Sequence, residues 1–122
     1  MRRRYSRILD SSALIALFRG NKTVHDFVVQ AEAGWWNLLL PTTCIADAEH
    51  EVRAGASGWE FLLLTPGVLP LPLAEHAAIE MGAWPGSLAV RHAAHEHAAL
   101  RAVVVTTEPE AYRGMLVATL PV

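Results

Sequence analysis

A single cysteine, Cys44, in 122 residues leaves no partner for an intrachain disulfide and no set of thiolates for a Cys-rich zinc site. It fits a reducing compartment, the cytoplasm. With no neighbouring His or basic residue in sequence to lower its pKa, it reads as a small buried hydrophobe and not a nucleophile. Apolar residues make up 52% of the chain, yet charge, Pro or Gly breaks every run well short of the ~20 residues of a membrane span. The Arg2-Arg3-Arg4 start would suit the head of a signal peptide. Asp10 interrupts the segment behind it before an apolar core forms, so export is not expected. An excess of positive charge is missing too: the formal net charge is −2, whereas a dedicated nucleic-acid binder is usually basic. Arg2, Arg3, Arg4 and Arg7 could supply local basic surface, or form no more than a solvated terminus. Repeats, low-complexity stretches and linkers are absent. The whole chain, 1–122, reads as one domain, able to bury roughly two thirds of its unfolded surface.

What is present is an alternation of strand and helix signals. Tyr5 to Leu9 reads as a buried strand ending at Asp10, and Ser11-Ser12 offer a cap for a helix through Phe18, closed by Gly20. Thr23 to Ala33 has apolar residues at helical spacing. Asn37 to Leu40 is a second strand, ended by Pro41. Thr42 or Thr43 could cap a helix carrying Asp47, Glu49 and Glu51 toward Gly55. A brief helix over Gly58 to Leu64 precedes a third strand, Val68 to Leu71, placed near an edge by Pro70 and Pro72. Helices over Leu73 to Met81 and Ser87 to Leu100 follow, then the strongest strand signal, Val103-Val104-Val105. A short turn or helical segment runs from Glu108-Pro109 through Tyr112, and Leu116 to Leu120 supplies a last strand. This alternation predicts an α/β fold with a mainly parallel sheet covered on both faces.

In such a sheet, ligands bind beyond the carboxyl ends of the strands. The acids to watch are therefore Asp10, after the first strand, Glu108, after the Val103 strand, and Asp47, early in the helix after the second strand. Converging carboxylates repel unless a cation neutralises them, and hard oxygen ligands suit Mg2+ or Mn2+. Phosphodiester hydrolysis is the natural chemistry of such a site.

Three blocks sharpen this. Ile8-Leu9-Asp10-Ser11-Ser12-Ala13-Leu14-Ile15-Ala16-Leu17 resembles the opening of a PIN domain, the fold of the VapC-like ribonuclease toxins. Leu40-Pro41-Thr42-Thr43-Cys44-Ile45-Ala46-Asp47 is similar to the family's second acidic block. Val103-Val104-Val105-Thr106-Thr107-Glu108-Pro109-Glu110-Ala111-Tyr112 is similar to its last. The resemblance implies a three-layer α/β/α fold with a mainly parallel central sheet. It also implies a cytoplasmic, metal-dependent endoribonuclease in which Asp10, Asp47 and Glu108 hold Mg2+ or Mn2+ against an RNA phosphate. A small antitoxin protein and a homodimer are the partners it implies. The family's remaining acid falls at Ser87, or at Val90 under a shifted alignment, and neither is acidic. The rival reading is a catalytically degenerate PIN-like module that binds RNA or a protein without cleavage.

Each residue also has a plainer role open to it. Asp10 could be a helix cap, and Ser12 a cap, a partner of Asp10 or a holder of metal-bound water. Asp47 could share a solvated face with Glu49 and Glu51, which read as surface residues, and Glu108 before Pro109 could be an ordinary turn. His92, His95 and His97 cluster on one helix, but the spacing fits no zinc motif, so packing or surface roles are expected of them. Of Trp35, Trp36, Trp59 and Trp84, at least half should pack in the core, and exposed ones could stack on bases or line an interface.

Overall fold

Residues 5–122 are described by the structure, a computed structural model. Arg2, Arg3 and Arg4, for which local basic surface and a solvated terminus were both open, lie outside the described residues. Among the described residues, five short runs form strands β1 (Ser6–Leu9), β2 (Asn37–Pro41), β3 (Val68–Leu71), β4 (Val103–Thr106) and β5 (Thr119–Pro121). They make one sheet in the order β3-β2-β1-β4-β5, and every pairing is parallel. Parallel neighbours require crossover connections. These are supplied by helices α1 (Ser11–Phe18), α2 (Lys22–Glu32), α3 (Thr42–Val52), α4 (Gly55–Leu63), α5 (Glu75–Met81) and α6 (Leu88–Leu100). The architecture is the expected α/β/α, with a sheet that is wholly parallel. Because helices cover both faces, the strands are near-continuously apolar: Ile8, Leu9, Leu38, Leu40, Val104 and Val105 have no exposed surface. Pro70 lies on edge strand β3 and Pro121 on edge strand β5, where a missing N–H need not break the sheet's hydrogen bonds.

Strand order reverses between β1 and β4. From β1 the chain moves outward through β2 to β3, then crosses back to β4 on the other side of β1 and outward to β5. The crevice beyond the strand ends at such a reversal is the preferred ligand site of this class of fold. Asp10 directly follows β1, and Glu108 stands two residues beyond β4.

Helix starts depart from the sequence expectation in physically legible ways. Asp10, in extended conformation, caps α1 by accepting from the Ala13 N–H, the plainer role open to it from the sequence, while Ser11 and Ser12, the caps offered first, are already helical. Asn21 caps α2 through the Val24 N–H. At α3 the residue ahead of the helix is Pro41, which offers no side-chain cap. Thr43, one of the two expected caps, lies within the first turn, and its hydroxyl meets His92 Nδ1 at 2.8 Å. Helix α4 begins at Gly55, three residues before the expected Gly58, because a side chain from α3 caps it. The Glu49 carboxylate accepts from the N–H groups of Ala54 (2.8 Å) and Gly55 (2.9 Å) and from the Trp59 indole (3.0 Å). These bonds, the indole foremost, hold the Glu49 carboxyl below its usual pKa. Read as surface in the sequence, Glu49 is the joint between α3 and α4. Ser87 caps α6 through the Val90 N–H at 3.2 Å. The last strand starts at Thr119, not Leu116, whose side chain is fully exposed. No helix among the described residues is long and apolar enough to cross a membrane.

Candidate functional site

Asp10 is 4% exposed, and a buried carboxylate needs partners. Its two oxygens find three. Oδ1 accepts from the Ser12 hydroxyl at 2.7 Å and the Ala13 N–H at 3.0 Å. Oδ2 accepts from the Tyr112 hydroxyl at 2.8 Å. Burial first, and then the negative charge of Asp10, pushes the Tyr112 pKa up, so the phenol keeps the proton that it donates.

Ser12 extends this network across the sheet. Its hydroxyl lies 3.0 Å from that of buried Thr106 and accepts from the Thr107 N–H at 2.9 Å. The Thr106 hydroxyl also accepts from the Glu108 N–H at 3.0 Å. The ends of β1 and β4 are thus tied together by hydroxyls, and the loop carrying Glu108 is fixed beside Asp10.

Asp10, Asp47 and Glu108 line one small cavity of about 90 Å³, together with Ser12, Ser87 and Tyr112. The three acids singled out from the sequence therefore converge, Asp10 buried and the other two exposed. Ser87 and Val90, the two positions at which the resemblance would put a further acid, line the same cavity. Asp47 and Ser87 also border an adjoining hollow of about 370 Å³ that takes in His50 and the half-exposed Leu88.

A pair of divalent ions needs several carboxylate oxygens free to ligate. The donor set here does not meet that need. Among the described residues, no three His, Cys, Asp or Glu side chains form a group that could hold a metal ion. Oδ1 of Asp10 has both of its lone-pair positions occupied, and Oδ2 has one. Ser87 contributes a hydroxyl already committed to its own helix. What the arrangement offers is a small cavity lined by three carboxylates, with that of Asp10 held in place by Ser12, Ala13 and Tyr112.

The remaining candidates have structural roles. His92 has no exposed surface, and burial, followed by the charge of His95, pulls its pKa down to about 4. His95 is buried against Trp84, their ring centroids 5.6 Å apart. His97 Nδ1 lies 2.8 Å from the Ala102 carbonyl oxygen. Cys44 is fully buried and its Sγ–H donates to the Ala89 carbonyl; burial, aided by the charge of Asp10, pushes the thiol up to about 12. Trp59 is in the core, Trp36 and Trp84 pack against it, and Trp35 is 60% exposed.

Two members of the site were not singled out from the sequence. Tyr112 closes the Val103–Tyr112 block, and its distance in sequence from Asp10 hides the pairing. Thr106 reads simply as the end of a strand. No family model and no curated protein matches this chain.

Proposed function

We propose that this chain is a PIN-like module that docks a protein partner at its acidic cavity and does not hydrolyse RNA. The observation that carries the reading is the engagement of Asp10. Its carboxylate already accepts from Ser12, Ala13 and Tyr112, so it works as a structural acceptor and a source of fixed negative charge. A lysine ammonium or arginine guanidinium from a partner would meet Asp47 and Glu108 at the cavity and gain charge-assisted hydrogen bonds there. The half-exposed Leu88 beside the adjoining hollow offers such a partner an apolar contact. A small antitoxin is the partner class that the PIN resemblance implies, and a homodimer is the self-association it implies. The cytoplasm is the proposed setting, supported by the one buried thiol.

A second reading is favoured by the convergence of Asp10, Asp47 and Glu108 on one cavity: a VapC-like ribonuclease dependent on Mg2+ or Mn2+. It would require Asp10 to give up its bonds to Ser12 and Tyr112 so that its carboxylate, with those of Asp47 and Glu108, could ligate the ion.

The two readings part in one assay. Purified protein is incubated with single-stranded RNA and manganese, beside an Asp10→Asn variant. The docking module gives no cleavage that depends on Asp10. Cleavage by the native chain that disappears in the variant would establish the ribonuclease.

A further inference from the structure

We propose that the amino-terminal end of the sheet, ahead of β1 and β2, carries a nucleotide-binding platform in which Arg7 takes a phosphate and Trp35 a base. The platform is separate from the acidic cavity and does not depend on any role given to Asp10.

Arg7, on β1, lies with its guanidinium carbon 3.8 Å from the Trp36 ring centroid and 4.6 Å from that of Phe27 on α2. Those two rings stand at 87° to each other, so the guanidinium lies flat on at most one of them and turns an edge toward the other. Its N–H donors lie in the plane, and among the described residues none of them has a hydrogen-bond acceptor and no carboxylate pairs with the charge. A guanidinium held between two rings with no carboxylate of its own is an anion receptor, and the edge turned away from the rings matches two oxygens of a phosphate.

The flat surface is next to it. Trp35 is 60% exposed and meets Trp36 at 74° with centroids 6.2 Å apart. Its backbone is fixed: the Trp35 N–H donates to the Gln30 carbonyl at 3.0 Å. Gly34 supplies the left-handed φ of +92° that turns the chain out of α2. Trp36 is held in turn by its indole N–H on the Phe27 carbonyl at 3.3 Å. A large aromatic surface held in place in advance loses little entropy on binding. Tyr5, 72% exposed, precedes β1, and its carbonyl accepts from the Asn37 N–H at the start of β2.

The combination selects the ligand. An acidic peptide would use Arg7 and leave the indole idle; an apolar peptide would do the reverse. A nucleotide uses both, stacking its base on Trp35 and placing its phosphate on Arg7. It could come as a free nucleotide or within a single strand, and the test separates the two.

The full chain is titrated with AMP, with a single-stranded adenine oligonucleotide of about ten residues, and with polyglutamate, following tryptophan emission. The platform predicts saturable quenching by the oligonucleotide, by AMP or by both, weakening from about 50 mM to about 200 mM salt. Binding of AMP alone identifies the free nucleotide, and oligonucleotide binding that millimolar AMP does not displace identifies the strand. Trp35→Ala, at an exposed position, should leave the circular dichroism spectrum unchanged and weaken binding about tenfold or more. Arg7→Lys keeps the charge but loses the fork and should weaken it as well. Absence of quenching by either nucleotide ligand, unchanged affinity in Trp35→Ala, or equal affinity for polyglutamate would overturn the proposal.

Discussion

Asp10 stands where a strand becomes a helix, and that position gives it two tasks at once: capping α1 and placing a carboxylate at the mouth of the sheet. Its importance was legible in the sequence, because an acid between an apolar strand and an apolar helix is conspicuous. Its clamp was not, because Tyr112 is 102 residues away in sequence and no local pattern announces such a pair. Tyr112→Phe removes the hydroxyl while keeping the ring, leaving Oδ2 of a buried carboxylate without its donor. Urea unfolding should show a loss of about 1–3 kcal/mol. His92 supplies a pH effect at the same scale. Its folded pKa of about 4 lies below the unfolded value near 6.5, so the unfolded chain takes up the proton first. Stability is then complete above about pH 6.5 and falls as the pH drops toward 4, by roughly 2–3 kcal/mol from this group. Urea midpoints measured at several pH values across that window should show the decline, and His92→Gln should flatten it.

At the scale of elements, the helices were legible and their first turns only in part: Asp10 stood among the possible caps of α1 and Ser87 at the start of α6, whereas the caps of α2 and α4 went unread. Apolar spacing locates a helix, whereas the cap depends on which residue is extended just ahead of it. In α1 that residue is Asp10, one position before the two serines that suggested themselves. In α4 the cap comes from Glu49, on the preceding helix, which short-range patterns cannot reveal. Helix α6 offers a direct intervention. Ser87 caps it and also lines the acidic cavity. Aspartate is as good a cap as serine, so Ser87→Asp should change stability by no more than about 0.5 kcal/mol. It should also add a fourth carboxylate to the cavity. Saturable manganese binding measured by calorimetry is the expected gain, and its absence would mean that the missing acid is not what limits this site.

At the scale of the whole molecule, the alternation of strands and helices was enough to predict an α/β/α sandwich, because buried parallel strands need near-continuous apolar runs such as Val103-Val104-Val105. Such runs say which segments are strands and nothing about their order across the sheet. That order makes β1 and β4 neighbours, so that Asp10 and Glu108 face one crevice with Asp47 of α3 beside them. Convergence of the three acids is therefore a property of topology. The state of their oxygens is a property of side-chain packing, and it is the ground on which docking is proposed over hydrolysis.

Calorimetric titration of manganese into the native protein examines those oxygens most directly. The docking module predicts no saturable binding at micromolar concentrations, since Asp10 is already engaged and no further acid stands at Ser87. Saturable micromolar binding that Asp10→Asn abolishes would contradict it.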